Sequence, residues 1–394
     1  MKIALVNQLH HDAGKVGSVR MWRLAQELAS LGHEVLFICP KLPAAVKGAK
    51  EEDASNFRRH ATGPIVLTAG PATEHLAASR RRPVKRLGSK LGTAWSLLIR
   101  GGPYWRWRRS IRQMFPRIRA EFCPDVCVGC FGSIDALLAA KELAAYCRVP
   151  WVMDIKDAAD AFLPRSIRPL LMWRASGAHA CTVNAKFQIS RNPGWIPASG
   201  AKLLYSGVEQ RATARPDFEP DRIVLAGSVY DPAGLAVLLE GFRLLLVERP
   251  LATLEYYGGD GESVREAAVR VGIESKVLVL GQVERMLFLE RCASAACVAY
   301  VGFPSAFHHK LLELAVLGRP IVVAPTESVE GIELSGHYEF PLECVSTPAD
   351  ASDAFRFAGS SPTRENAELA NDFSWQAVAR RLEKILVDVV EGNR

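Results

Sequence analysis

The chain has 394 residues, of which 49% are hydrophobic, 23% charged and 8% aromatic, so it can bury two cores of ordinary size. Residues 1–205 contain 31 Lys and Arg against 14 Asp and Glu, a net charge of +17, whereas residues 206–394 carry −10. No apolar run reaches the ~20 residues that span a bilayer, and the first residues do not resemble a signal peptide. These features exclude a membrane-spanning, disordered or fibrous protein and predict a cytoplasmic one with one half facing an anionic partner.

The first half alternates apolar strands with helices. Strands are predicted at residues 2–9, 33–40, 124–130, 149–155 and 179–185, and helices at residues 20–32 and 134–147. This alternation is typical of an open parallel α/β sheet with right-handed crossovers. The nine cysteines lie mostly in apolar segments, and the lone pair Cys127 and Cys130 lacks a second pair for zinc, so we expect reduced structural thiols.

A basic tract lies between Glu74 and Glu121, where 13 Lys and Arg occur and no acidic residue. Two apolar stripes at helical spacing run through it, from residue 84 to 98 and from residue 104 to 118. Basic amphipathic helices with Trp at the boundary suit an anionic membrane surface, and the alternative is that the stripes pack on the sheet while the charges are solvated. The residues of this candidate membrane or acceptor surface are Trp95, Arg106, Trp107, Arg108 and Arg109.

The second half shows the same alternation of strands and helices. It begins after a segment near residues 203–220 that loses apolar periodicity. Strands are predicted at residues 222–229, 252–259, 276–283 and 296–303, with helices at 233–250, 261–272 and 286–295 between them. We therefore predict a first domain at residues 1–205, a second at 206–373, and a closing helix at 374–394 with no strand after it. Ligands bind such sheets at the carboxyl ends of the strands.

Residues 303–324 are the most informative segment and predict a loop, a helix, a Gly-Arg-Pro turn and a buried strand. Lys310 and Glu313 share one helix face, where they could grip phosphate and sugar hydroxyls or simply form a salt bridge. Unpaired N–H groups at the start of this helix would suit an anion such as a diphosphate.

Seven segments in order now resemble one family. They are residues 2–35, 149–160, 203–209, 256–268, 280–283, 310–324 and 372–386. Together they resemble the GT-B glycosyltransferases, specifically the family-4 group known as glycosyl transferases group 1. The resemblance implies an α/β protein of the GT-B class, in which two Rossmann-like doubly wound domains face a central cleft. It also implies that the helix at 374–394 crosses back to the first domain.

The resemblance also implies a donor site for a nucleotide sugar such as a UDP- or GDP-sugar, with no cofactor and no metal. Glu313 would bind the ribose, Lys310 and the N–H groups of Leu311 and Leu312 the diphosphate, and the loop at Gly281 and Val283 the base. Across the cleft, Gly14 and Gly17 would leave room for the donor phosphates. The complete donor set is Gly14, Lys15, Gly17, Gly227, Ser228, Gly259, Gly281, Val283, Lys310, Leu311, Leu312 and Glu313.

Three positions depart from the family pattern. Ser228 and Ala233 stand where the group places an Arg and a Lys that clamp the diphosphate, and Ser305 stands where it places the first Glu of a pair ending at Glu313. Losing two charge-assisted bonds, each worth roughly 1.5–3 kcal/mol, would cost several decades in rate. Lys310, Lys15 or Arg20 could supply the missing charge.

The candidate catalytic residues are Asp154, Asp157, His11 and His308. The aspartates follow a strand and could position an acceptor, or cap the next helix. The histidines occur on loops expected at the cleft, and no carboxylate at ligand spacing accompanies them.

The sequence therefore predicts a retaining glycosyltransferase for a saccharide or lipid-linked acceptor in cell-surface glycan synthesis. A catalytically weakened relative that acts as a binding or scaffold subunit and a sugar-nucleotide epimerase remain as alternatives. No nucleic-acid partner is expected, and docking to the inner face of the cytoplasmic membrane is left open.

Overall fold

The computed structural model describes residues 1–13, 16–41, 58–59, 63–71, 96–157, 163, 165–192, 194–209, 217–360 and 366–393. This part of the chain divides into two compact units, residues 1–207 with 375–394, and residues 208–374. The sequence placed these borders after residues 205 and 373, which differ from the structural borders by two residues and one residue.

Strands and short connecting helices alternate in both units. The strands are Lys2–Val6 (β1), Glu34–Lys41 (β2), Arg58–Arg59 (β3), Ile65–Pro71 (β4), Val126–Phe131 (β5), Trp151–Ile155 (β6), Ala180–Val183 (β7), Ala201–Leu203 (β8), Glu219–Ala226 (β9), Thr253–Tyr257 (β10), Val277–Val279 (β11), Ala295–Val301 (β12), Ile321–Ala324 (β13) and Leu342–Cys344 (β14). The α-helices are Val16–Ser30 (α1), Trp105–Arg117 (α2), Ile134–Cys147 (α3), Arg168–Ala175 (α4), Phe187–Arg191 (α5), Pro232–Glu248 (α6), Gly261–Val271 (α7), Arg285–Ser294 (α8), Lys310–Ala315 (α9), Val329–Tyr338 (α10), Pro348–Ala358 (α11), Ala367–Asp372 (α12) and Trp375–Gly392 (α13).

The first unit is built on a sheet with the strand order β3-β4-β2-β1-β5-β6-β7-β8. Its neighbours are parallel except for β3 and β4. Strand β5 is buried on both faces, and its alternate residues enter two different cores: Cys127 joins one, whereas Val126 and Val128 join the other. This explains why its sequence is a continuous apolar run and not an alternating one.

The final helix α13 belongs to the first unit. Its apolar side packs on α1 and the sheet, where Trp375, Val378 and Leu382 meet Met21 and Leu24. The helix therefore covers one face of the first sheet and leaves its charged side to the solvent.

The described part of the basic tract contains two helical segments. Helix α2 covers the second stripe and continues past Pro116 into a π-helical turn, Ile118–Phe122. Of the first stripe, residues 96–100 are helical, and residues 72–95, including Trp95, lie outside the described part of the chain.

The second unit contains a parallel sheet with the order β11-β10-β9-β12-β13-β14. Helix α6 begins at Asp231, whose carboxylate accepts from the N–H groups of Ala233 at 3.0 Å and Gly234 at 3.2 Å. This is the N-cap arrangement that starts a helix. Gly241 allows α6 to approach α11, because a Cβ there would lie 2.5 Å from that of Ala351.

All nine cysteines are free thiols. In the part of the chain that the structure describes, no helix has the length and apolar character needed to cross a bilayer.

Candidate functional site

In the second sheet, the direction in which successive strands are added reverses between β9 and β12. The strand after β9 along the chain, β10, lies on one side of this pair, and the strand after β12, β13, lies on the other. The loops that leave the carboxyl ends of β9 and β12 therefore part from each other, and ligands of open α/β sheets bind in the resulting crevice. We call this place the second-unit switch point, formed by residues 227–231 and 302–309.

The turn after β9 requires glycine. Gly227 has φ +88°, in the left-handed region that glycine adopts without strain, and a Cβ there would lie 2.9 Å from Lys310 Nζ. Its carbonyl accepts from the Tyr256 hydroxyl at 2.8 Å. This hydrogen bond fixes the backbone of the turn. The side chain of Ser228, the next residue, is exposed to solvent.

Lys310 lies under this turn. Its ammonium group is 4.0 Å from the centre of the Tyr300 ring and donates to the Ala226 carbonyl at 3.4 Å. Burial lowers its pKa to about 8, partly opposed by the charge of Glu327. The side chain therefore remains mostly protonated at pH 7 and places a positive charge at the end of β9.

The first N–H groups of helix α9 are not unpaired. Leu311 N donates to the His308 carbonyl at 2.9 Å and Leu312 N to the His309 carbonyl at 3.1 Å. Their side chains are buried. The expectation of unpaired donors here is corrected, because the preceding turn already supplies acceptors to this short helix.

A buried polar cluster lies beside Lys310. The Tyr300 hydroxyl donates to the Glu327 carboxylate, which also accepts from Ser328 N at 2.7 Å and Ser328 Oγ at 2.8 Å. His308 Nδ1 is 4.0 Å from the same carboxylate, and its ring stacks on Tyr230 with centroids 5.3 Å apart. Sequence reasoning missed Tyr230 and Glu327, since neither belongs to the family motifs that it used.

His308 is neutral at pH 7 because burial, and then the charge of Lys310, lowers its pKa to about 4 from 6.5. The folded protein thus binds this proton less tightly than the unfolded chain does. Stability that is present above pH 6.5 is lost as the pH falls through 4, by about 3 kcal/mol in full.

We expect His308→Gln to remove this part of the pH dependence. Urea unfolding at pH 7 and at pH 4.5 measures it. His337→Gln replaces an exposed imidazole and is the matched control. An acid destabilisation that is the same in His308→Gln and in the unmodified protein would contradict the assignment.

Glu313 pairs with a residue that the sequence did not indicate. Its Oε1 lies 2.6 Å from Arg285 Nη2 and 3.6 Å from His309 Nε2, so the predicted alternative of a Lys310–Glu313 salt bridge is replaced by Arg285–Glu313. Burial raises the pKa of Glu313, and Arg285 opposes this. Arg285 begins helix α8, directly after the loop that follows β11.

The remaining donor candidates follow the same edge. Gly259 comes after β10, and Gly281 and Val283 come after β11, where Gly281 has φ +74° and its carbonyl accepts from Gly258 N at 3.1 Å. The structure thus brings the donor candidates of the second unit to the carboxyl ends of β9, β10, β11 and β12. Ala233 contributes its N–H to the α6 cap and offers no side-chain charge.

The first unit has its own switch point, between β1 and β5. Gly17 is buried near it, where a Cβ would lie 3.3 Å from Lys156 Nζ, while Gly14 and Lys15 lie outside the described residues. Gln8 Oε1 is buried here without a hydrogen bond from any described group, which makes Gln8 an acceptor-site candidate that sequence reasoning missed.

His11 stacks on Trp22 with centroids 4.4 Å apart, and its Nε2 lies 3.3 Å from the Asp12 carboxylate. A ring nitrogen of His10, one of His11 and Cys39 Sγ lie within 4.8 Å of one another. A carboxylate and a thiol therefore accompany the histidines, contrary to expectation. The two imidazole rings are stacked with centroids 4.1 Å apart. The absence of a metal stays a prediction.

Asp154 is not at an open edge. Its carboxylate is buried, lies 2.9 Å from Arg20 Nη2 and accepts from Thr182 Oγ1 at 2.7 Å. Burial opposes its ionised form, but Arg20 outweighs this and holds the pKa below its usual value. The catalytic expectation for Asp154 is therefore corrected to a structural role, and Arg20, engaged in this pair, does not replace the missing phosphate clamp. Asp157 is half-buried and stays a catalytic candidate.

The candidate surface on α2 is divided. Arg106 and Arg109 are exposed, whereas Trp107 is 1% exposed in the hydrophobic core and Arg108 is 6% exposed. The expectation that all of them face a membrane is therefore wrong for Trp107 and Arg108. Helix α2 places its apolar stripe on the sheet, in agreement with the alternative interpretation of the sequence.

Comparison with known proteins relates both units to one class. Residues 220–358 match the family model described as Glycosyl transferases group 1, and no curated protein matches the chain. HepE from Anabaena, solved in complex with UDP-glucose, is 15% identical with a TM-score of 0.62, covering 98% of this chain and 100% of its own.

Two further solved structures agree. Sucrose-phosphate synthase from Thermosynechococcus elongatus is 16% identical with a TM-score of 0.63, covering 99% of each chain. A glycosyltransferase from Rickettsia africae is 11% identical with a TM-score of 0.61, covering 99% of this chain and 98% of its own. These likenesses confirm the predicted fold class. The chain is a GT-B fold protein that resembles the group 1 glycosyl transferases, as predicted, and residues 220–358 carry the sequence match to that family.

Proposed function

We propose that the chain transfers a sugar, with retention of configuration, from a nucleoside diphosphate to a saccharide or lipid-linked acceptor in cell-surface glycan synthesis. The observation that carries the proposal is the pairing of Glu313 with Arg285 at 2.6 Å, inside the family-matched segment. Glu313 also lies 3.6 Å from His309 of the second-unit switch point. The UDP-glucose complex of HepE, a protein of the same fold, supports a nucleotide-sugar donor.

Each of these side chains has a distinct role in the proposal. Glu313 accepts hydrogen bonds from the donor ribose, and Arg285 holds its carboxylate in place. Lys310 faces the diphosphate across the Gly227 turn. Negative charge accumulates on the departing nucleoside diphosphate, and a preorganised cation stabilises it. No resident metal or cofactor is needed for this step.

For the acceptor, the proposal keeps Asp157 and His11 and adds Gln8 from the first unit. Asp157 is half-buried, and burial raises its pKa. A carboxylate with a raised pKa near a reacting hydroxyl is suited to proton exchange. The roles of His11 and of His308 stay predictions.

A donor screen tests the proposal. We expect thermal shifts of the full-length protein with one or more of UDP-, GDP-, ADP- and dTDP-sugars, and release of the nucleotide when acceptor is supplied. A folded protein that neither binds nor consumes any of them would overturn it. Conversion of the donor sugar without any acceptor would instead favour the epimerase alternative.

A second candidate function is a binding or scaffold subunit without turnover. It is favoured by Ser228 and Ala233, which provide no phosphate-clamping charge, and by the engagement of Arg20 with Asp154. It predicts donor binding without nucleotide release in the same screen. It also predicts that Glu313→Gln leaves the biological activity unchanged.

We also propose a cytoplasmic site of action, peripheral to the inner face of the membrane. The exposed Arg106 and Arg109 on α2 and the +17 charge of residues 1–205 support this position.

A further inference from the structure

A cavity of about 660 Å³ lies in the first unit between helices α2 and α3 and the helical residues 96–100. Its described lining contains six cationic side chains and one carboxylate, that of Glu142. The cations are Arg100, Arg108, Arg109, Arg112, Lys141 and Arg174. So many like charges around one space repel each other unless an anion enters it.

The single carboxylate does not neutralise this charge. Glu142 is held by Arg112, whose Nε donates to it at 2.6 Å. Lys141 bonds only to neutral acceptors, the carbonyls of Arg174 at 3.0 Å and Ser176 at 2.7 Å. Among the described residues, Arg100, Arg109, Lys141 and Arg174 form no ion pair with a carboxylate, whereas Arg108 lies near two of them.

Arg108 is a buried residue of the cavity wall. It is 6% exposed, its Nη2 donates to the Arg100 carbonyl, and its Nε and Nη1 make no hydrogen bond to any described group. Asp135 Oδ1 is 3.4 Å from Nη1, and Glu142 Oε1 is 3.8 Å from Nε. These carboxylates offset the charge but leave two donors without a hydrogen bond, and buried donors of this kind favour a further acceptor.

Two further arginines sit at the opening. The Arg100 guanidinium lies 3.9 Å from the centre of the Trp105 ring, which fixes its plane while its N–H edge stays available. Arg109 is exposed on the rim. Planar guanidinium groups bind phosphate through two parallel hydrogen bonds, which a lysine cannot do.

We propose that this cavity binds a phosphate or diphosphate group of a ligand other than the donor. Its described lining comes from α2, α3, α4 and residues 99–101 and includes no described residue of the strand-end loops, so we treat it as separate from the two switch points. The ligand is the phosphorylated end of the acceptor, and this part alone rests on the proposed function. An anionic lipid head group and a soluble phosphorylated saccharide share this chemistry.

The test compares two charge reversals on the same helix of the full-length protein. Arg109→Glu alters the cavity lining, whereas Arg106→Glu alters another exposed arginine of the same helix that is not in the described lining. Calorimetric titration with inorganic pyrophosphate should show binding that Arg109→Glu weakens by about tenfold or more and Arg106→Glu by less than about twofold. Equal effects of the two variants, or no binding by the unmodified protein, would overturn the proposal.

Vesicles distinguish the two sources of the phosphate. Phosphatidylglycerol vesicles that bind, compete with pyrophosphate and lose more binding in Arg109→Glu than in Arg106→Glu indicate a lipid head group. Pyrophosphate binding without vesicle binding indicates a soluble ligand. The thermal shift with UDP-sugars should be unchanged in Arg109→Glu, so a failure of the donor proposal and a failure of this one are separately visible.

Discussion

Asp154→Ala is expected to lower the free energy of unfolding by about 3–5 kcal/mol, far more than the loss of a surface ion pair would. The variant leaves the Arg20 guanidinium, which is 1% exposed, without its 2.9 Å partner in the first unit. Arg20 retains only the Ser206 hydroxyl and the Leu204 carbonyl, both at 3.0 Å, as neutral acceptors. Chemical denaturation with circular dichroism measures the change.

The matched control is Glu121→Ala. Glu121 forms an ion pair with Arg117 at 2.8 Å, close to the length of the buried pair, but at the surface. An exposed pair of this kind contributes about 0–1 kcal/mol. If both variants lost the same stability, burial would not be the cause of the effect.

A double variant tests whether the Arg20 and Asp154 side chains stabilise the protein through their direct interaction. Arg20→Met with Asp154→Leu removes both charges together, so neither is left buried alone. We expect it to be less destabilised than the sum of the two single variants. Additive losses would contradict a direct coupling between these side chains.

Glu313→Gln is expected to weaken binding of the nucleotide-sugar donor by about 10- to 100-fold while the protein stays folded. The substitution keeps the shape of the side chain and removes the charge that holds Arg285 at 2.6 Å. Hydrogen bonds to a charged group contribute roughly 1.5–3 kcal/mol, which is one to two decades in affinity. Titration with whichever donor the thermal screen selects measures the change.

Glu290→Gln is the control for this result, because Glu290 carries the same charge on the exposed side of helix α8. Arg285→Met should reproduce the loss seen in Glu313→Gln, since it frees the carboxylate from its partner. If Arg285→Met bound donor as the unmodified protein does, Arg285 would have no positioning role.

The local sequence predicted much of the fold because its signals are short in range. Residues 303–324 illustrate this: the loop, helix α9, Gly318 at φ +71° and the buried strand β13 follow in the expected order. Hydrophobic period, glycine and proline act on neighbouring residues, so they can be interpreted without knowing the rest of the chain. The α/β class and the ordered motifs follow from the same kind of signal.

The side-chain partners depended on contacts between distant residues. Arg285 and Glu313 are 28 positions apart, and Arg20 and Asp154 are 134 apart, so no periodicity relates them. For the same reason Asp154 resembled an active-site carboxylate in the sequence. The sequence also did not show that Trp107 of α2 is buried while Arg109 is exposed.

The sequence by itself determined the alternation of the main strands and helices and the charge difference between the two halves, because these follow from composition and near neighbours. Only the tertiary structure decided which cationic side chains are paired with a carboxylate and which are available to bind an anion. Packing buries Arg20 against Asp154, joins Arg285 to Glu313 and gathers the cavity arginines of α2 around α3. Burial and pairing set the charge and reactivity of such groups, and both are properties of the folded chain.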